Sequence, residues 1–370
     1  MASWIRVLGA VFAVVLIGSL AVPLSTAPAG TSTTEKAQVR PNIVMVLTDD
    51  MRADELRFLP AVRRLQRSGV TFTRALSADS LCCPARATLL TGKLAHNHMT
   101  LGNNPATHGG FPVFVQHNDI QNLLPQWLDS RGYRTAWIGK YLNGIGGSRH
   151  FHQPDWTYFA IPVENVYDYW TSDFSINRRF HTKRGYREVY TRRLLLQRIR
   201  RWSPGRRPFF VVDSTLAPHR AHGPGIDAPG VQRMHRGFNV DRLFIRPSVG
   251  ETNLSDKPVW LQDYAAGLPG PLHYPAFLER HRVEALQSVN DTVRRLVATL
   301  RRQHELDRTV VIFTSDNGLM LHEHELSRKN KPYEESVHVP LVVRGPGFRG
   351  GGSAHQTVSL ADVTATIRRI

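Results

Sequence analysis

The chain has 370 residues, 41% of them apolar and 21% charged, with a formal net charge of +17. That balance excludes a disordered or fibrous chain and leaves room for one large α/β domain with a sizeable core. Only seven of the 47 basic residues are lysine, so arginine is the default cation and each retained lysine carries information. The charge suits anionic substrates, polyanionic glycans or a membrane surface. No nucleic-acid motif accompanies it, which argues against DNA or RNA as a partner.

Residues 1–29 open with Arg6, run apolar from Val7 to Leu24 and end in Ala27-Pro28-Ala29. This is the layout of an export signal with a cleavage site, so the protein is expected to be secreted or held at the cell surface. The apolar run approaches the roughly 20 residues that span a bilayer, so a retained N-terminal anchor is the alternative and the sole membrane contact expected. A Ser/Thr-rich linker follows over residues 30–40, and one folded domain is expected over 41–370.

Within that domain, Ile43 to Leu47 is apolar throughout, as in a strand covered on both faces, and it runs into Asp49-Asp50. Residues 56–69 have helical spacing with Gly69 as the stop, and residues 70–76 read as a second strand. Helix and strand adjoin again over residues 121–142. Residues 208–216 form another apolar strand that continues into "APHRAH". A long amphipathic segment, about Ala276 to His304, leads to "RTVVIFTSDNG", a strand ending in Asp316-Asn317-Gly318. The alternation predicts a mostly parallel central sheet with helices on both faces. Residues 150–207 and 223–275, rich in aromatics, Pro, Gly and Arg, are expected to be long insertions that wall a substrate cleft.

In such sheets ligands gather at the carboxyl ends of the strands. Asp49-Asp50, Lys140, His219 and Asp316-Asn317 all fall at or just after predicted strand ends. The two acidic pairs offer hard oxygen ligands of the kind Ca2+ or Mg2+ selects. With Lys140, His219, Lys329 and Lys331 nearby, a site holding a cation and basic side chains suits a phosphate or a sulfate. Both cysteines, Cys82 and Cys83, are adjacent. A disulfide between them closes almost no loop and the spacing is wrong for zinc, which leaves chemistry on one thiol.

Cys82-x-Pro84-x-Arg86 followed by "LLTGK" resembles the signature of the type I sulfatases. The blocks "PNIVMVLTDD", "GKYLN", "APHRAH", "VIFTSDNG" and "KNKPYEESVHVPLVVRGPG" resemble the remaining blocks of that family, in its order, over roughly residues 41–367. The surroundings of Cys82 and "GKYLN" are most similar to the N-acetylglucosamine-6-sulfatase branch. The resemblance implies an alkaline-phosphatase-like catalytic domain over residues 41–370 and a sulfated sugar or glycan as substrate. It also implies that a separate maturation enzyme oxidises Cys82 to formylglycine. One hydroxyl of the hydrated aldehyde would attack the sulfate ester and the second would release sulfate.

The resemblance further implies that Asp49, Asp50, Asp316, Asn317 and residue 82 bind Ca2+, with Mg2+ as the alternative. Arg86 would hold the modified side chain and the carboxylates. Lys140 would bind sulfate oxygens, while His219 and Lys329, favoured over Lys331, would stabilise or protonate the leaving oxygen. Cys83 is expected to stay a buried thiol. The alternatives are a phosphonate or phosphate ester hydrolase of the same superfamily, or an inactive protein that binds anionic glycans.

Three departures stand out. Leu142 and Asn143 occupy the stretch where many sulfatases place a histidine after the "GK" lysine. His322-Glu323-His324-Glu325 stands where the family usually reads "GEHG". Ala85 replaces a common serine. A C-terminal subdomain of the family is expected to be absent. Every sheet strand is then expected before residue 345, with Leu360, Val363 and Ile367 forming an exposed apolar patch.

Overall fold

The computed structural model describes residues 40–147, 150–221, 228–239, 246–270 and 275–370; the expected signal, and the linker up to residue 39, lie outside them. The strands are β1 (Asn42–Thr48), β2 (Val70–Leu76), β3 (Arg134–Gly139), β4 (Tyr158–Glu164), β5 (Thr171–Ile176), β6 (Arg179–Arg184), β7 (Phe209–Ser214), β8 (Thr309–Ser315), β9 (Met320–Leu321), β10 (Ser327–Arg328), β11 (Leu341–Arg344) and β12 (Gly352–Ser359). Ten of them form one sheet in the order β12-β2-β11-β8-β1-β7-β3-β4-β5-β6, and β9 pairs with β10 separately. From β8 to β4 all neighbours are parallel. Within the ten, β11 and β5 run against both of their neighbours.

Strands β1, β7 and β8 are buried at every residue, which is why their sequences are apolar on both faces. One face buries Val44, Val46, Val211 and Phe313 beneath the helices Pro60–Ser68, Arg187–Trp202 and Ala276–Arg302. The other buries Met45, Leu47, Val212 and Ile312 beneath Cys82–Thr91, Leu124–Asp129 and Leu360–Arg369. The expected α/β architecture with helices on both faces is therefore the one observed.

Three expectations need correction. Residues 150–207 are not an insertion: they supply β4, β5 and β6, which extend the sheet, and the helix Arg187–Trp202, whose Leu195 and Ile199 are fully buried. The pattern was concealed because β4 carries Pro162 and β6 is polar on both faces. A strand also exists beyond residue 345, since β12 pairs in parallel with β2 at the sheet edge, where its largely exposed residues show no apolar period. Finally, Leu360, Val363 and Ile367 are buried rather than exposed. Their helix packs on the one that begins at Cys82, and Thr364 Oγ1 donates to Leu89 O at 2.7 Å. The described part of residues 223–275 contains one α-helix of two turns, Val259–Ala266, whose Leu261 packs with Met320 and Leu326, and a single 3-10 turn at Arg233–His235.

Candidate active site

The carboxyl ends of β8, β1, β7 and β3 lie side by side in the sheet, so the residues that follow them converge. Asp316-Asn317 follow β8, Asp49-Asp50 follow β1, Lys140 follows β3, and His219 lies five residues past β7. Asp50 adopts a left-handed backbone, φ 68°, that turns its N–H onto Asp316 Oδ1 at 3.1 Å. Gly139 sets the turn into Lys140: its φ is +101°, and a Cβ there would lie 1.9 Å from Ser214 O. No other residue fits that close approach without moving the sheet.

Cys82 is the first residue of a helix that is buried along its whole length. Its thiol faces Asp49 Oδ1 at 3.4 Å, and Lys329 Nζ approaches the sulfur to 2.7 Å while also pairing with Asp50. Lys140 Nζ lies 2.5 Å from Asp49 Oδ2, and His219 Nε2 lies 3.7 Å from Asp50 Oδ2. Arg86, one turn along from Cys82, donates from Nε to Asp316 Oδ2 at 2.8 Å and from Nη1 to Lys140 O and Ser214 Oγ. Thus Cys82, Arg86, Lys140, His219, Lys329, Asp49, Asp50, Asp316 and Asn317 are all brought together. Cys83 points away into the apolar core, and Lys331 instead sits over the Trp260 ring at 5.0 Å.

The electrostatics follow from this crowding. Burial favours the neutral form of Asp49, yet the charges of Lys140, Arg86 and Lys329 hold its carboxyl well below the usual range. Asp50 is likewise lowered, with Lys329 and His219 prevailing over burial. Asp316 is raised, because burial and the Asp49 charge outweigh Arg86. Burial, and then Asp49, push the Cys82 thiol up to about 12, so it is not a ready thiolate. Burial lowers His219 to about 4, leaving a neutral ring.

One ligand atom from each of Asp49, Asp50, Cys82 and His219 lies within 4.8 Å of the others. Beside them Asn317 donates to Asp50 Oδ1 at 2.7 Å, while its own Oδ1 is buried with no hydrogen-bond partner among the described residues. Two ionised carboxylates and an orphaned amide oxygen are a donor set that fits a hard divalent cation. Above them opens a cavity of about 680 Å3, lined by Asp50, Lys140, His219 and Lys329 together with Asn143 and Tyr167. It can admit a small anionic ester with both cations and carboxylates at its floor.

Sequence reasoning missed four residues here. Tyr167 stacks on His219 at 4.8 Å, holds Lys140 Nζ over its ring at 5.0 Å and accepts from Asn143 Nδ2 at 2.7 Å. Tyr169 donates to His219 O at 2.7 Å. Ser214 anchors Arg86, and Arg282 donates to Asp50 O at 2.6 Å while paired with Glu55. In the "HEHE" stretch, His322, His324 and Glu325 all have positive φ, where the resembling family has glycine at the outer two positions. Glu323 is fixed there by Arg52 at 2.8 Å.

The Sulfatase family model matches residues 41–369. The chain is 33% identical over 340 residues to the extracellular sulfatase SULF-1 homolog of Drosophila melanogaster, an alignment covering 88% of this chain and 29% of that relative. It is 31% identical over 369 residues to the N-acetylglucosamine-6-sulfatase of Capra hircus, covering 91% and 61%. The chain thus spans from under a third to about three fifths of the length of these curated relatives. A protein solved in complex with its substrate D-glucosamine-2-N,6-O-disulfate superposes with a TM-score of 0.67 at 21% identity, covering 89% of this chain and 76% of that one.

Proposed function

This chain belongs to the sulfatase family, and from that premise we propose that it hydrolyses sulfate esters of a sugar or glycan by way of formylglycine at position 82. The observation that carries the reading is the position of Cys82: at the carboxyl edge of the sheet, with its sulfur against Asp49 and Lys329. An unmodified thiol held there by burial is a poor nucleophile. A hydrated aldehyde at the same carbon offers two hydroxyls. One attacks sulfur while the alcohol leaves with a proton; the other then expels sulfate as the aldehyde re-forms, and water hydrates it again.

Lys140 binds sulfate oxygens, Lys329 and His219 serve the leaving oxygen, and Arg86 holds the residue 82 side chain and the carboxylates in register. Ca2+ or Mg2+ held by Asp49, Asp50, Asp316, Asn317 and residue 82 would supply a Lewis acid and neutralise charge that builds up on the transferring group. The relatives' names support a sulfated amino sugar, with N-acetylglucosamine-6-sulfate as the first candidate. Residues 41–370 act as the catalytic domain. Export through residues 1–29, by cleaved signal or retained anchor, and maturation of Cys82 by a separate oxidising enzyme complete the proposal.

The test is mass spectrometry of the peptide spanning Cys82 from the native host, together with turnover of a panel of sulfated monosaccharides and of aryl phosphate diesters. The expected result is the mass loss of thiol-to-aldehyde conversion and turnover of a sugar sulfate. A wholly unmodified thiol, or faster turnover of the phosphate diester, overturns it. Glycan binding without any turnover identifies the inactive alternative.

A further inference from the structure

The net charge is concentrated in one part of the chain. Residues 178–207 carry twelve arginines and lysines against a single acid, Glu188. That carboxylate is buried, accepting from the N–H groups of Leu216 and Ala217, so it offers no counter-charge at the surface. The edge strand β6, exposed along most of its length, and the start of the helix Arg187–Trp202 bring part of this charge to a second cavity of about 390 Å3. Trp170, Tyr186 and Tyr190 line it alongside Lys183, Arg193 and Arg233, and among the described residues no carboxylate does.

A run of solvated arginines alone would be an ordinary surface. Here the cations surround a concavity that other chain segments build. Tyr186 donates to Gly230 O at 2.9 Å, and a Cβ on Gly230 would lie 2.7 Å from the Tyr169 ring, so the segment carrying Arg233 rests directly on the aromatic floor. Trp170, 43% exposed, is held 5.1 Å from the Tyr186 ring, and Lys183 Nζ lies 4.9 Å from the centre of the Tyr190 ring. The exposed ring of Trp170 can take the apolar C–H face of a sugar, with Tyr186 buried behind it and Tyr190 half-buried, while the cations take the sugar's sulfates or carboxylates.

The two cavities share no lining residue, yet Tyr167 lines the first and Trp170 the second. Three residues span at most about 11 Å of chain. Between them Tyr169 touches both sides, bonding His219 O and stacking on Tyr186 at 5.8 Å. The two cavities are therefore near neighbours, with the buried Tyr169 as the wall between them.

We propose that the cavity formed by Trp170, Tyr186, Tyr190, Lys183, Arg193 and Arg233 is a distal subsite for an anionic polysaccharide, holding a charged sugar unit of the chain whose sulfate ester enters the first cavity. The inference rests on the sulfated-glycan reading above. A polynucleotide is disfavoured because the cations ring a single small cavity instead of tracking a backbone-length groove.

The experiment measures binding of a heparin-derived octasaccharide to the full chain carrying Cys82→Ala, so that no turnover is needed. Trp170→Ala and, separately, the triple variant Lys183→Ser/Arg193→Ser/Arg233→Ser are introduced into that background. Each should weaken octasaccharide binding about tenfold or more, and the triple variant should flatten its salt dependence. Melting temperature should stay unchanged in both. With Cys82 intact, turnover of N-acetylglucosamine-6-sulfate should be unaffected by either. Unchanged octasaccharide affinity overturns the subsite, as does an oligodeoxynucleotide of matched charge that binds equally well and responds alike. If the catalytic reading fails instead, no sulfate ester is turned over while octasaccharide binding still responds to the variants.

Discussion

Arg86 ties the acidic cluster to the sheet, and its removal tests whether the site is held together by charge. The guanidinium is fully buried and reaches Asp316 Oδ2, Lys140 O and Ser214 Oγ at 2.7 to 2.8 Å, with Asp49 Oδ2 3.8 Å away. Arg86→Ala leaves Asp316 facing Asp49 and Asp50 without its ion-pair partner. Breaking a buried pair by removing one member costs about 3–5 kcal/mol. For a folded domain of this length, that is a fall of about 4–7 °C in melting temperature. The assay is unfolding followed by circular dichroism, in chelator, for Arg86→Ala, Asp316→Asn and the double variant. Neutralising Asp316 removes the charge that Arg86 balances, so the double variant should be less destabilised than the sum of the singles by about 1–3 kcal/mol. Additive losses, or an Arg86→Ala loss within the ±0.5 kcal/mol typical of about any surface change, would refute charge as the organising force.

Asp49→Ala should abolish turnover while leaving far-UV circular dichroism near that of the unmutated chain, because it removes both a proposed metal-binding oxygen and the carboxylate 2.5 Å from Lys140; near-normal turnover in chelator would sink the metal assignment. His98 offers a test on pH: burial lowers it from 6.5 to about 4, and its Nδ1 already accepts from Thr100 N–H at 3.1 Å, so a proton there displaces a bond. Between those two values the unfolded chain binds the proton and the folded chain does not, so stability is lost as pH falls through the window. His98→Gln should flatten that loss when urea midpoints at pH 7 and pH 4.5 are compared, and an unchanged slope would contradict it.

Legibility of the fold followed burial on both faces. The strands β1, β7 and β8 lie in mid-sheet with every residue buried, so a mostly apolar run survives in the sequence. At the sheet edges that constraint disappears. β6 reads Arg-Phe-His-Thr-Lys-Arg and β12 is mostly polar, since each gains its place chiefly from backbone pairing with one neighbouring strand. The same loss of signal concealed Tyr167, which lies in the region that resembled an insertion.

The site divides along a similar line. Asp49, Asp50, Lys140, His219, Asp316 and Asn317 were recoverable from the rule that parallel strands deliver their chemistry at one edge, because each follows a strand that could itself be read. Spacing alone did not separate Cys82 from Cys83 or Lys329 from Lys331; family resemblance was needed, and only tertiary packing sends Cys83 into the core and Lys331 onto Trp260. Arg282 had no signal at all, being one of several arginines on an amphipathic helix until Glu55 and the Asp50 carbonyl select it. The positive φ of His322, His324 and Glu325 is the extreme case. Left-handed backbone disfavours residues with a Cβ by about 1–2 kcal/mol each, so local preference argues against this path. Tertiary bonds set against that cost are the Glu323 pair with Arg52 and His324 against Glu251 at 2.8 Å. Those partners lie far away in sequence, so a loop that looks miswritten locally becomes intelligible only once the sheet has brought Arg52 and Glu251 beside it.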